Sequence, residues 1–229
     1  AYLTRHWPLD DGRWRQYLWG YYRMVELVDT HIAQILNTLR QSDQEDNTVI
    51  VFTSDHGDGL GSHHWSQKTL FYDEISRIPF IVSWKGHTKP SVRNKHHLVN
   101  VGTDLFPTLF DFCGIHKPEN LRGLSAAPSA LGQPEPASHT YIVSENNHHS
   151  GVRNPTDVHG RMVRSTRYKY IRYNKGSNPE QLFDLDTDPG EMLNLTSNQN
   201  RQDVLDEHRD MLNEYLESTH DSFPRYEIT

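Results

Sequence analysis

Apolar residues recur at three- and four-residue steps in two stretches of the chain. Such spacing places them on one face of an α-helix. The first stretch predicts an amphipathic helix over residues 13–40, whose single apolar stripe should pack on a sheet. The second predicts a final helix near the C-terminus. The stripe of the first helix comprises Tyr21, Val25, Val28, Ile32, Ile35, Leu36 and Leu39.

Short apolar runs predict the strands. Residues 48–52 form a continuous β-branched and aromatic run, which is typical of a strand covered on both faces. Residues 80–84 form a second buried strand. Alternating patterns between turn residues predict four more strands, at 141–144, 161–165, 168–173 and 181–185.

A third helix is predicted to start at Asp104, with Pro107 tolerated in its first turn and Gly114 at its stop. The only cysteine, Cys113, lies in the same apolar run, so we expect a buried structural thiol. A single cysteine also excludes an intrachain disulfide.

The order of these elements predicts an α/β fold class. Residues 1–128 should form an α/β core, and residues 129–229 a small antiparallel sheet with a C-terminal helix. A chain of 229 residues is long enough to bury such a core.

The candidate chemistry follows the first strand. Asp55 and His56 stand at its exit, and Gly57, Gly59 and Gly61 free the backbone for sharp bends. A carboxylate beside an imidazole suits a divalent cation. The alternative is a simple turn in which Asp55 caps a backbone amide.

Further polar residues favour the metal site over the simple turn. Asp58, His63, His64 and Lys68 follow within the same glycine-rich loop. This concentrates ligands and one fixed positive charge where a strand ends. A lysine beside a metal predicts an anionic substrate.

Several motifs in fixed order resemble the C-terminal half of the sulfatases, the formylglycine-dependent branch of the alkaline phosphatase superfamily. The family pattern runs SDHGE, LGEH, a Lys five residues beyond that His, and then R-[VI]-P before a strand. This chain has SDHGD, LGSH, Lys68 and RIP with the same spacing from Asp55 to Lys68. Segments upstream and downstream extend the resemblance over nearly the whole chain. They are YYRMVELVDTHIAQILNTLRQ, VNVGTDLFPTLFDFCGI, STRYKYIRY and LFDLDTDPGEMLNL.

The resemblance implies a fold, a cofactor and roles. The fold would be the C-terminal part of an alkaline-phosphatase-like sandwich, a mixed sheet flanked by helices. Asp55 and His56 would be ligands of one divalent cation, with Ca²⁺ expected and Mg²⁺ or Zn²⁺ left open because His is a slight misfit for calcium. Lys68 would touch the sulfate and the ester oxygen, stabilising charge as the S–O bond breaks. His63 would line the site, while His64 departs from the commoner Gly.

The family nucleophile is missing from these residues. Sulfatases convert the Cys or Ser of an N-terminal C-x-P-S-R or S-x-P-S-R motif to formylglycine, and the chain has neither motif. We therefore expect a C-terminal portion of a sulfatase, inactive alone, whose partner is the N-terminal half that carries formylglycine.

A polar segment over residues 144–154 is the second candidate region. It combines amides with His148, His149 and Arg153, groups that hydrogen-bond hydroxyls and anionic sugars. Together with His63 and His64 these residues predict binding of a sulfated small molecule or glycan. The alternative is an ordinary polar surface loop.

Composition excludes some partners and leaves two rival functions. A formal charge of −7 argues against nucleic acid, and no apolar run approaches the roughly 20 residues of a membrane span. Family resemblance suggests a periplasmic, secreted or lysosomal enzyme. The rivals are a phosphoester or phosphonate hydrolase of the same superfamily and a non-catalytic glycan-binding fragment.

Overall fold

The structure is a computed structural model that describes residues 9–134, 137–148 and 158–226. It divides into two compact units, each assembled from separate segments. The first contains the described residues within Ala1–Lys68, Glu74–Val92 and Ala127–Pro134. The second contains those within Thr69–Asp73, Arg93–Ala126 and Glu135–Thr229. Because the units interleave along the chain, the boundary drawn between residues 128 and 129 stays a prediction.

The first unit pairs one long helix with a two-stranded sheet. Helix α1 (Asp11–Gln41) begins at Asp10, whose carboxylate accepts a hydrogen bond from the Arg13 amide at 2.9 Å. Strands β1 (Val49–Thr53) and β2 (Phe80–Trp84) pair antiparallel, with Val51 opposite Val82. Two short helices complete the local chain, α2 (Asp73–Ser76) and α4 (Ala127–Ala130).

Apolar side chains of this unit are exposed where burial was expected. The prediction that β1 and β2 are fully buried is wrong for this chain, since Phe52 is exposed and Ile81 is 56% exposed. No described residue of α1 is buried, and Ile35 of its stripe is 67% exposed. Apolar surface of this extent marks a contact surface.

The second unit is built on a four-stranded antiparallel meander. Its strands follow chain order: β3 (Tyr141–His148), β4 (Val158–Ser165), β5 (Tyr168–Tyr173) and β6 (Glu180–Asp184). Helix α5 (Gln202–Thr219) packs on one face. Successive side chains alternate between the faces, and both faces are buried. The α5 face includes Val163, Tyr170 and Leu182, and the other includes Met162, Ile171 and Phe183.

A buried lysine lies on the face of the sheet away from α5. Lys169 is fully buried, and its ammonium donates to the Phe71 carbonyl at 2.9 Å. Its Nζ lies 2.9 Å from a carboxylate oxygen of Glu191 and also pairs with Asp73. A buried charge is tolerated only when it is paired in this way, so the cluster fixes the segment around Phe71 against the sheet.

Helix α3 (Val101–Cys113) belongs to the second unit and begins earlier than predicted. Asn100 is its N-cap, accepting from the Gly102 amide at 3.1 Å. The predicted start, Asp104, is instead a buried residue of the first turn. It accepts from the amides of Asn100 and Leu124 at 2.7 and 2.9 Å. The predicted stop is confirmed, because Gly114 adopts the left-handed conformation at φ 63°.

The prediction for Cys113 is wrong, because its side chain is exposed. The residue ends α3 on the side away from buried Pro107 and Thr108. An apolar sequence context does not distinguish the two sides of a helix end.

None of the helices in the described part of the chain combines the length with the apolar character that crossing a bilayer requires.

His208 should make the stability of the second unit depend on pH. It is buried in α5, with Nδ1 donating to the Val204 carbonyl at 2.8 Å and Nε2 3.0 Å from Ser165 Oγ. Burial lowers the pKa of its imidazole. Below the ordinary value of about 6.5 the unfolded chain therefore binds a proton that the folded chain resists, and stability falls as the pH falls.

We expect His208→Gln to flatten the loss of stability between about pH 7 and pH 5, measured by urea unfolding at several pH values. His96→Gln, which removes an exposed imidazole, is the matched control and should keep the parent slope. An unchanged slope in His208→Gln would contradict this assignment.

Candidate active site

The turn after β1 presents Asp55 and His56. The Ser54 hydroxyl donates to the His56 carbonyl at 2.8 Å, and Asp55 accepts from the His56 amide at 2.9 Å. These short-range bonds fix the turn while leaving the Asp55 side chain 82% exposed and the His56 side chain 37% exposed. Both side chains can therefore reach a ligand.

The His56 ring is oriented for metal binding. Its Nδ1 donates to the Gly57 carbonyl at 2.7 Å, which leaves Nε2 as the nitrogen with a free lone pair. That Nε2 lies 3.4 Å from a carboxylate oxygen of Asp55. Two donor atoms at this separation can share one cation.

Asp55 and His56 alone would not complete the coordination shell of a metal ion. Within residues 9–134, 137–148 and 158–226, no group of three or more His, Cys, Asp or Glu side chains could hold a metal ion. Divalent cations in proteins take about four to eight ligands. The donor set fits a cation as one part of a larger coordination shell, and the metal itself stays a prediction.

Lys68 is electrostatically linked to the same turn. The pKa of Asp55 lies below its ordinary value. Desolvation acts to raise it, but donation from the His56 amide, the His56 ring and the charge of Lys68 together lower it. Asp55 and His56 thus lie together in the turn, and the positive charge of Lys68 acts on Asp55. Their roles as ligands and sulfate-binding group remain predictions.

The loop that connects these residues is strained. Positive φ angles are uncommon for residues with a side chain, and they cluster at functional sites. Sequence patterns gave no signal of this conformation, because none of the residues is the Gly or Asn that usually adopts it. The four strained positions of this loop are Leu60 (50°), His63 (54°), His64 (56°) and Gln67 (66°), and Thr69 (92°) follows directly after Lys68.

The three loop glycines have two different functions. Only Gly61 needs conformational freedom, with φ 94°. At Gly57 a Cβ would lie 2.0 Å from the Glu74 carbonyl oxygen, and at Gly59 it would lie 2.8 Å from that of Trp65. The prediction that all three permit sharp bends is therefore replaced at two of them by close backbone approach.

The predicted substrate-binding residues are only partly described. His63 is half-buried and His64 exposed, both in the 3-10 turn Ser62–His64. His148 is the last residue of β3, where its backbone pairs with Val158. The polar segment is therefore strand rather than loop up to that residue. His149 and Arg153 lie outside the described residues.

The sequence did not indicate that Tyr17 contacts this loop. Its hydroxyl donates to both carboxylate oxygens of Asp58, at 3.2 and 3.1 Å, and so joins α1 to the loop. Burial and the Asp58 carboxylate raise the pKa of Tyr17 to about 12. The sequence separation of 41 residues left no local pattern by which to find this contact.

Comparison with known proteins decides the family. The family described as N-sulphoglucosamine sulphohydrolase, C-terminal, matches residues 61–218, and the family described as Sulfatase matches residues 4–115. The chain belongs to the sulfatase family. The resemblance to the C-terminal half of these enzymes is confirmed.

Individual relatives agree with this. A Delta 4,5-hexuronate-2-O-sulfatase from Bacteroides thetaiotaomicron is 36% identical over 220 residues, which are 95% of this chain and 44% of the relative. The structure of a 2-O GAG sulfatase superposes with a TM-score of 0.88 at 33% identity, covering 98% of this chain and 47% of that one. The sulfatase-family chain thus spans about half the length of the proteins it matches, and the predicted α/β fold is confirmed.

A phosphonate monoester hydrolase from Agrobacterium radiobacter is also similar in structure. Its TM-score is 0.73 at 25% identity, with 87% of this chain and 41% of that chain covered. Both superfamily branches therefore share the fold, and the GAG sulfatase resembles this chain more closely.

Two glycine substitutions should change the free energy of unfolding in opposite directions. Gly59→Ala should lower the free energy of unfolding by about 1–3 kcal/mol, because the new methyl group meets the Trp65 carbonyl. The control Gly20→Ala has no atom within 4 Å of the new Cβ and lies inside α1. It should raise stability by up to about 1 kcal/mol through helix propensity. Urea unfolding measures both, and equal effects would refute the close approach at Gly59.

Proposed function

We propose that this chain is the C-terminal portion of an enzyme that hydrolyses sulfate esters of a carbohydrate. The observation that carries the proposal is the pair Asp55 and His56 after β1, followed by the exposed Lys68 in the same loop, all inside the segment that the Sulfatase family matches. A cation and an ammonium on one side of a strand end suit a tetrahedral oxyanion such as sulfate.

Asp55 and His56 would hold the divalent cation, for which Ca²⁺ is our choice and Mg²⁺ or Zn²⁺ the alternatives. When bound, the cation would polarise a sulfate oxygen, and the N-terminal half would supply the formylglycine. The hydrogen bond from His56 Nδ1 to the Gly57 carbonyl leaves Nε2 as the ring nitrogen that would bind the cation. Asp55, ionised at neutral pH, contributes the negative charge.

Lys68 would act on the leaving group. As the S–O bond breaks, negative charge builds on the ester oxygen, and a fixed ammonium stabilises this charge more strongly in the transition state than in the bound ester. Lys68 is exposed at its loop position and is therefore accessible to substrate. The loop strain is consistent with a conformation selected for function.

The substrate class is inferred from the relatives and the polar residues. The curated relative is a hexuronate 2-O-sulfatase, and a solved relative is a 2-O GAG sulfatase. We propose a glycosaminoglycan-type sulfate ester, with His63, His64, His148, His149 and Arg153 as candidate sugar contacts.

The proposed partner is the N-terminal half of the sulfatase fold. Apolar residues on α1 and on β1 and β2 are exposed in this chain, including Ile35, Phe52 and Ile81. The chain matches only 44% of the length of its curated relative. The remaining half would cover this surface and supply the nucleophile and the other metal ligands.

The proposal is tested by pairing this chain with its N-terminal half and measuring hydrolysis of a 2-O-sulfated unsaturated disaccharide. We expect activity only in the assembled protein, its loss with a chelator, and its recovery with Ca²⁺. Lys68→Ala should lower kcat by about 10²–10³-fold, which is typical for removal of a group that stabilises transition-state charge. The control Lys95→Ala removes another exposed ammonium and should retain parent activity.

Other outcomes of these measurements would favour one of the two alternative functions. Faster hydrolysis of a phosphonate monoester than of the sulfate ester would assign the chain to the phosphonate hydrolases. Binding of sulfated glycan by the isolated chain, without hydrolysis by the assembled protein, would favour a glycan-binding function. Full activity in Lys68→Ala would refute the role given to Lys68.

A further inference from the structure

The Asp58 carboxylate ties together the two ends of the loop. Its Oδ1 accepts hydrogen bonds from the amide of Leu60 at 2.8 Å and from the amide of Gln67, nine residues away, at 3.2 Å. One side chain therefore closes the loop at the residue immediately before Lys68.

Helix α1 contacts this closed loop at two points. The Tyr17 hydroxyl donates to Asp58, as described above, and the Trp14 ring lies against Gly61, where a Cβ would be 3.2 Å from a ring carbon. Trp14 and Tyr17 pack edge to face with ring centroids 5.8 Å apart. The helix thus presents a rigid aromatic pair to the loop.

Backbone bonds complete the closure and reach Lys68 itself. The Gly59 amide donates to the Gln67 carbonyl and the Gly61 amide to the Trp65 carbonyl, both at 2.8 Å. The Trp65 indole then donates to the Lys68 carbonyl at 3.0 Å. The backbone is therefore held at Gln67 and at the Lys68 carbonyl by the loop that Asp58 closes.

The strain in the loop explains why a tether is needed. Each left-handed residue with a side chain costs free energy, and such conformations persist only where the surroundings over-determine them. Asp58 accepts hydrogen bonds from the Tyr17 hydroxyl and from two amides of the loop. Its contacts are with the loop and α1.

We propose that Tyr17 and Asp58 are positioning residues, which hold the strained loop in the closed conformation that sets the position of Lys68. The proposal rests on the proposed function for the catalytic use of Lys68, whereas the tether itself does not depend on it. Neither residue need touch the sulfate, so their effect on the reaction would act through the placement of Lys68.

The first measurement uses the 229-residue chain. Amide hydrogen exchange of Leu60 and Gln67, followed by NMR, should be about tenfold faster in Tyr17→Phe and faster still in Asp58→Ala, because each loses hydrogen bonds that close the loop. Asp58→Asn keeps an oxygen acceptor and should fall between the parent and Asp58→Ala. Tyr22→Phe removes a hydroxyl from an exposed position on the same helix and should match the parent.

The second measurement uses the assembled enzyme and the sulfated disaccharide. Tyr17→Phe should lower kcat about tenfold and change KM less than about twofold, since misplaced Lys68 loses transition-state rather than ground-state contact. If Tyr17 had a purely structural role, Tyr17→Phe would reduce the amount of folded enzyme without lowering kcat per active site. The concentration of active sites is therefore measured in each preparation, so that kcat refers to folded enzyme only.

Two results would overturn the proposal. One is unchanged exchange at Leu60 and Gln67 in Tyr17→Phe, and the other is faster exchange with unchanged kcat. Absence of sulfate ester hydrolysis in the parent enzyme would instead refute the proposed function, and with it the catalytic purpose of the tether. The exchange data remain informative in that case, so the two failures are distinguishable.

Discussion

The closure of one loop by the Asp58 carboxylate is the constraint on which the candidate site depends. A strand end by itself presents Asp55 and His56, but Lys68 follows a loop with four left-handed side-chain residues and is itself followed by a fifth, Thr69. Such a loop has many relaxed alternatives. The hydrogen bonds that Asp58 accepts from the Leu60 and Gln67 amides and from the Tyr17 hydroxyl hold the loop closed up to the residue before Lys68.

The second unit is stabilised in a different way, by burial of both faces of its sheet. Its meander buries both faces, one under α5 and the other against Phe71 and its neighbours. Lys169 is buried on the second face because Glu191, Asp73 and a backbone carbonyl surround its ammonium. Burial also raises the pKa of Glu191, although Lys169 opposes that shift. The segment that follows the candidate-site loop is thus anchored by a paired charge inside an apolar core.

Local patterns predicted most of the elements because each leaves a periodic signal. Strands β2 and β5 have the bounds expected from their apolar runs, and Gly114 ends α3 as predicted. The failures occur where a tertiary contact overrides the pattern. Asp104 looks like a cap but is held inside the first turn by the Leu124 amide and by His139. Pairing with β4 carries β3 through the polar residues up to His148.

The sequence by itself determined the family, the fold class and the identity of the candidate donors, since motif spacing and periodicity are local properties of the chain. The tertiary structure decided which ring nitrogen of His56 is free, why Gly57 and Gly59 have no side chain, and that Tyr17 contacts Asp58. These features depend on contacts between residues distant in sequence. Such contacts form only when the chain folds, so no local pattern records them.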